Sequence, residues 1–259
     1  MNINYAYHQL YMNDVNHYIQ SGFPINAFAI LGRGVKPIDS SESLRLYNAM
    51  YAGHHIAKFK MILPHCSKFI NNGKKYSIVD WACGQGLASS MLIDYLHSLK
   101  KLDQIDCIYL IEPSSYATNR AINLIKLQFE QYGSTTPYII VKNKFFNETK
   151  IVDISTQTRN HFIHLFSNAL DTNVDSTTHI MSIIKNLKTP SLIAATSPNY
   201  GMTQLAYQKM KNYFCIVNTD EISNHCGYTR EIIYLLKHKK WLMSNIAFNQ
   251  NVIKVNKNA

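Results

Sequence analysis

The chain reads as an α/β protein, a doubly wound and mostly parallel sheet with a helical cap at its N-terminus, and three observations predict it. An apolar run ends in Asp80, a Gly84-Gln85-Gly86 loop follows, and a helical pattern starts at Leu87. Strand, tight glycine turn and helix N-terminus thus fall within residues 76–90. Short apolar runs then alternate with amphipathic stretches across residues 76–219. A second apolar run, residues 107–111, ends in Glu112, so an acidic side chain closes each of two successive strands.

Taken in order, residues 1–72 read as mostly helical, broken by Gly22, Pro24, Gly32, Gly34 and Pro37. Asp39 with Glu42 makes a capping-box-like start, after which Leu44, Tyr47, Met50, Tyr51, His54 and Ala57 recur at helical spacing. Pro64 kinks or ends that helix. Asn71-Asn72-Gly73 is a linker, dividing the chain into residues 1–72 and 73–259. Strands are expected near 76–81, 107–111, 138–143, 161–167, 191–196 and 213–218, and helices near 87–100, 115–132, 175–187 and 202–212. Residues 230–237 read as a last antiparallel strand or a short helix. The apolar stripe of the N-terminal segment needs a surface to bury against. The nearest is the carboxyl edge of the sheet, which predicts a cap there with Tyr47, Tyr51, and His54 or His55 beside the ligand pocket.

Composition narrows the class. With 259 residues and 46% hydrophobic content, the chain has enough apolar material for a sizeable core. No apolar run reaches the roughly 18 residues needed to cross a bilayer, and the first residues lack a signal-peptide layout. A cytoplasmic protein with no membrane partner is expected. The five cysteines are scattered without a paired spacing, which fits free thiols and excludes a zinc ribbon. His54, His55, His65 and Cys66 match no metal-ligand spacing, so no metal is expected. The net charge of +10 admits RNA as a partner. Against it, only five of the 26 basic residues are Arg, and the lysines lie in dispersed pairs. If RNA is the partner, Arg33, Lys36, Lys58, Lys60 and Lys68 should share the rim of the pocket.

The glycine turn carries most of the chemistry. Gly84 and Gly86 are spaced as in a dinucleotide-binding loop, but the third glycine position is Ser89. Asp80 ahead of the turn repels a pyrophosphate and suits a cationic ligand. Cys83 is best read as a small side chain packed under the turn. Glu112 ends the second strand, where a carboxylate can accept both hydroxyls of a ribose, and Pro113 stiffens the following turn. Residues 161–171 read as a buried strand ending in Ser167-Asn168, with Asn168 and Asp171 either facing the pocket or capping the next helix. Tyr200 follows a Ser197-Pro198-Asn199 turn after the next strand.

The spelling Asp80-x-x-Cys83-Gly84-x-Gly86, with Glu112 downstream, resembles the first two motifs of the class I S-adenosylmethionine-dependent methyltransferases. The resemblance covers residues 76–219, extending toward 237. The 32 residues between Asp80 and Glu112 exceed the family's usual spacing. It implies a Rossmann-like, seven-stranded sheet with a reversed strand in the tail, and S-adenosylmethionine as cofactor. The cofactor would meet Asp80, Ala82, Cys83, Gly84, Gly86, Glu112, Pro113, Ser167 and Asn168. Asn168, Asp171 and Tyr200 would face a methyl acceptor that the sequence does not identify, RNA or a small molecule or protein. The alternatives are a non-catalytic scaffold or sensor on the same fold and, further off, a dehydrogenase.

Overall fold

The computed structural model describes the chain except residues 1, 2, 33–35, 72, 155–159, 171–175, 200, 215–218 and 257–259. Its N-terminal helices are α1 (Ala6–Ser21), α2 (Ala27–Ile30), α3 (Ser41–Lys60) and α4 (Leu63–Phe69). The sheet strands follow: β1 (Tyr76–Trp81), β2 (Ile105–Ile111), β3 (Tyr138–Lys142), β4 (His161–Ser167), β5 (Ser191–Ser197), β6 (Thr219–Leu235) and β7 (Lys240–Val255). Helices α5 (Leu87–Ser98), α6 (Ser115–Gln131), α7 (Ser176–Asn186) and α8 (Gly201–Phe214) connect β1 to β2, β2 to β3, β4 to β5 and β5 to β6.

The strand order is β3-β2-β1-β4-β5-β7-β6, with β1 to β5 parallel and β7 antiparallel to both of its neighbours. Every residue of β1 and β5 is buried, as expected of strands covered on both faces. Successive side chains of a strand feed opposite cores. Ile78, Ile108 and Ile163 join the cluster with α5 and α6, while Val79, Tyr109 and Phe162 join the cluster with α7 and α8. The N-terminal helices belong to the first of these: Tyr11, Val15, Leu46, Ile56 and Leu63 lie in one continuous core with Ile78, Met91 and Val252.

Register explains the tail. Asn249 of β7 pairs with Ser197, the last residue of β5, on one side and with Cys226 of β6 on the other. The nine residues of β6 beyond Cys226 therefore run past the carboxyl edge with their β7 partners. At ~3.3 Å per residue this hairpin arm is about 30 Å long. The arm leans on the N-terminal helices. The backbone N–H of Tyr234 donates to the Tyr11 hydroxyl at 3.0 Å, and Tyr234 stacks on Phe23 with ring centroids 5.6 Å apart. Trp241 meets both Tyr11 and Tyr234 edge-on, and Lys60 pairs with Glu231.

Three expectations need correction. The strand expected at 213–218 does not begin where expected: residues 213 and 214 continue α8, 215–218 lie outside the described residues, and β6 starts at Thr219. Its apolar spelling does not distinguish a helix end from a short strand. The cap of α3 is Ser40 rather than Asp39. Ser40 is extended (φ −154°), so its hydroxyl reaches the Ser43 N–H at 3.1 Å, while Asp39 takes the Ser43 hydroxyl and Lys36. Pro64 opens α4 in its first turn, where no N–H is needed. Among the described residues, no helix is long and apolar enough to cross a membrane.

Candidate functional site

The strand order reverses direction between β1 and β4, and a cleft opens there at the carboxyl edge. It is lined by Ala82 and Gly84 after β1, Ile111, Glu112 and Pro113 at the end of β2, and Ser167, Asn168 and Ala169 at the end of β4. Tyr47 of α3, Lys36, Pro37 and Ile38 add an N-terminal wall, and Lys144, Phe145 and Phe146 an outer one. The cleft measures 140 Å³ and is open on the side of Phe145, which is 47% exposed.

The turn is built for close approach. Ala82, Gly84 and Gly86 all have positive φ (49°, 51° and 80°), the left-handed conformation that costs a side chain about 1–2 kcal/mol. A Cβ on Gly84 would meet nothing within 4 Å, whereas one on Gly86 would lie 2.8 Å from the Ala121 Cβ. Gly84 thus presents bare backbone to the cleft, and Gly86 lets α6 pack beneath the turn. Glu112 ties the turn to the next loop: Oε2 accepts the Gly84 N–H and Oε1 the Ser114 N–H, both at 3.1 Å. A carboxylate has about four acceptor sites, so acceptor capacity remains for a ligand in the cleft. Burial raises the Glu112 carboxyl above its ordinary value, against the pull of these two N–H groups.

Asp80 sits just below. It is 1% exposed, and its Oδ2 accepts the Ser89 hydroxyl at 2.7 Å and the Ser89 N–H at 3.1 Å, fastening the first turn of α5. Burial pushes its carboxyl up to about 7, opposed by Ser89 and reinforced by Glu112. Asp80, Cys83 and Gly86 lie behind the cleft wall, while Ala82, Gly84, Glu112, Pro113, Ser167 and Asn168 line it. Burial raises the Cys83 thiol well above its ordinary value, which keeps it protonated and unreactive. Asp171 and Tyr200 lie outside the described residues.

Two features had no signal in the sequence. Gln85, inside the turn, donates to the Leu44 carbonyl at 2.9 Å and accepts from Arg120, which pairs at 2.6 Å with Asp14, itself bonded to Asn48. This chain of contacts clamps α1 and α3 to the glycine turn, and its partners are up to 106 residues apart. Lys58 is 3% exposed and donates to the Asn168 side chain, so α3 reaches the end of β4. Asn168 has a positive φ of 58° and donates its backbone N–H to Thr196, which turns its side chain toward that lysine.

The basic residues expected to share a rim do not gather. Lys36 is at the cleft and paired with Asp39, Lys58 is buried, and Lys60 is paired with Glu231. Lys68 lies with His161 and Pro190 at the opposite, amino edge of the sheet. Arg33 is outside the described residues.

No family model matches the chain, and no curated protein matches it in sequence. Solved structures to which it is similar include S-adenosylmethionine-dependent methyltransferases. One is a precorrin-6y C5,15-methyltransferase from Geobacter metallireducens, at 10% identity over 76% of this chain and 87% of that one, with a TM-score of 0.47. Another is an S-adenosylmethionine-dependent O-methyltransferase from Thermotoga maritima, at 10% identity over 91% and 72%, with a TM-score of 0.46. A third is the M. jannaschii TYW2 protein in complex with AdoMet, at 15% identity over 80% and 76%, with a TM-score of 0.44.

Proposed function

We propose that this protein binds S-adenosylmethionine at the switch-point cleft and transfers its methyl group to an acceptor entering from the carboxyl edge. The observation that carries the reading is Glu112: a half-buried carboxylate, held by the Gly84 and Ser114 N–H groups, with free acceptor sites beside bare glycine backbone. That combination suits the two hydroxyls of a ribose. The buried Asp80 below the turn disfavours a pyrophosphate and suits a ligand carrying an ammonium and a sulfonium. Of the rim lysines, Lys36 is paired with Asp39, and Lys144 shares Asp153 with Lys142.

The residues present fit the cofactor, with Glu112 holding the ribose, Ala82 and Gly84 backing the methionine part, and Pro113 bordering the base. Bound there, the cofactor supplies an electrophilic methyl group. The chain's own task is alignment, which can lower a barrier by roughly 7–11 kcal/mol when two reactants are held in line. Lys58 ties Asn168, and Gln85 ties the turn, to α3, so both edges of the cleft are held by the same helix. We further propose that residues 1–72 act as the lid of this site and that Asn168, Asp171 and Tyr200 face the acceptor. Dispersal of Lys58, Lys60 and Lys68 takes away the main support for an RNA acceptor.

Calorimetry should show micromolar-range binding of S-adenosylhomocysteine and none of NAD. Glu112→Gln keeps the shape but loses charge-assisted bonds worth about 2–3 kcal/mol, so binding should weaken roughly 30- to 150-fold. Tight NAD binding, or a Glu112→Gln protein that binds S-adenosylhomocysteine as the parent does, defeats the assignment. Cofactor binding without transfer of labelled methyl to any fraction of a cell extract would favour the sensor reading.

A further inference from the structure

A second cavity, of 420 Å³, lies between α3 and the hairpin arm. Phe23, Phe28, Met50, Tyr234 and Leu236 give it an apolar lining; its polar groups are His54 on α3 and Lys237 and His238 at the end of the arm. Helix geometry relates it to the cleft. Residues 47, 51, 54 and 58 fall on one stripe of α3. Tyr47 at one end lines the cleft, and Lys58 at the other bonds Asn168, which also lines it. These two are ~16 Å apart along the axis, and His54 lies between them on the same side. His54 therefore lines the second cavity from the same helix face that carries Tyr47 and Lys58 toward the cleft.

The side chains say what fits. The volume lies in the range of small-molecule pockets and is too small for a folded nucleic acid or protein segment. Phe23, Phe28 and Tyr234 offer ring surfaces, and Phe23 already stacks on Tyr234. The His54 ring makes no hydrogen bond among the described residues. Burial and the neighbouring Lys58 lower its affinity for a proton, leaving a neutral imidazole with a lone pair to accept an O–H.

From this arrangement we infer that the 420 Å³ cavity is the acceptor site and takes a small, flat, apolar molecule bearing an aromatic hydroxyl, which His54 accepts. The inference rests on the methyltransferase reading only for the word acceptor; the cavity and its ligand class stand on geometry alone. In transfer, the hydroxyl oxygen bonds the methyl carbon as the carbon–sulfur bond breaks. The sulfur keeps that electron pair and becomes a neutral thioether, and the hydroxyl proton passes to His54.

1-Naphthol is a suitable probe, followed by its own fluorescence with the full-length protein. Binding in the tens-of-micromolar range is expected, weakened at least tenfold by Met50→Trp and by Leu236→Trp, which fill the cavity from two different elements. S-Adenosylhomocysteine should bind both variants as it binds the parent, which also shows that they fold. His54→Ala should erase the several-fold preference for 1-naphthol over 1-methoxynaphthalene that one hydrogen bond provides. No naphthol binding at about 0.5 mM, or equal binding by both tryptophan variants, overturns the inference. So does displacement of naphthol by an RNA 20-mer (about the length of two helical turns) with steep salt dependence. If S-adenosylhomocysteine fails to bind while naphthol follows the cavity variants, the ligand site is upheld and its role as methyl acceptor falls.

Discussion

Gly86→Ala should destabilise the protein by about 2–5 kcal/mol, while Gly84→Ala, two residues away, should cost only ~1 kcal/mol and weaken ligand binding instead. Both glycines have positive φ, so both substitutions carry backbone strain. They differ in what the new methyl meets. At Gly86 it would sit 2.8 Å from the Cβ and 3.2 Å from the Cα of Ala121, in a helix that is fully buried at that point. Neither is the far end of a flexible side chain, so α6 must shift. At Gly84 the methyl enters open space, and that space is the cleft. In melting experiments the Gly86 variant should lose roughly 5–15 °C at ~2–4 °C per kcal/mol. The Gly84 variant should lose a few degrees but bind S-adenosylhomocysteine at least tenfold more weakly. A Gly86→Ala protein as stable as the parent would show that the turn and α6 are not in the contact described.

The second large effect is a pH dependence traced to Asp80. Its carboxyl lies at about 7 in the folded chain, against 3.8 for the ordinary group, because burial outweighs the Ser89 bonds. Between those two values the native state holds a proton that the unfolded chain has released, so raising the pH removes stability. At 1.36 kcal/mol per unit this amounts to about 4 kcal/mol, fully lost by pH 8. Asp80→Asn keeps an oxygen for Ser89 and cannot ionise. The stability of the variant relative to the parent should therefore climb between pH 4 and pH 8, by up to that amount, in urea titrations. A flat difference across that range would mean that Asp80 is not desolvated as described. A ligand ammonium near Asp80 favours the ionised form, so affinity of the parent for S-adenosylhomocysteine should rise up to tenfold from pH 6 to pH 8. That rise should be absent in Asp80→Asn. If both proteins show it, another group is responsible.

Much of the site is legible because its determinants are local. Asp80, the turn at 84–86 and the start of α5 lie within a dozen residues, and glycine spacing plus an abrupt change from strand to helix patterning marks them. Glu112 is visible for the same reason, as an acidic stop on an apolar run. The inner parallel strands follow from short, mostly apolar runs, since a strand buried on both faces has no polar side to blur it, while the edge strand β3 is only partly covered. By contrast, β7 and the far half of β6 mix Lys, Asn, Tyr and Trp, because their residues meet solvent, helix or the second cavity in turn. No single period survives, and the arm's 30 Å reach (nine residues at ~3.3 Å) is set by a register with β5 that the spelling of β6 does not contain.

The sequence by itself determined the turn, its two carboxylates and the alternation of strands and helices, since each depends on neighbours a few residues away. Only the tertiary structure decided which side chains work together across the fold. Lys58 meets Asn168 at a separation of 110 residues, Arg120 meets Asp14 at 106, and Tyr234 meets Tyr11 at 223. It also turned the apolar stripe of the first helices into part of the main core, with its half-buried residues left to face the cleft and the second cavity. The physical reason is that burial energy is non-directional. An amphipathic helix announces that it will be covered, and the partner that covers it is selected by shape and paired polar groups, which exist only once the chain has folded.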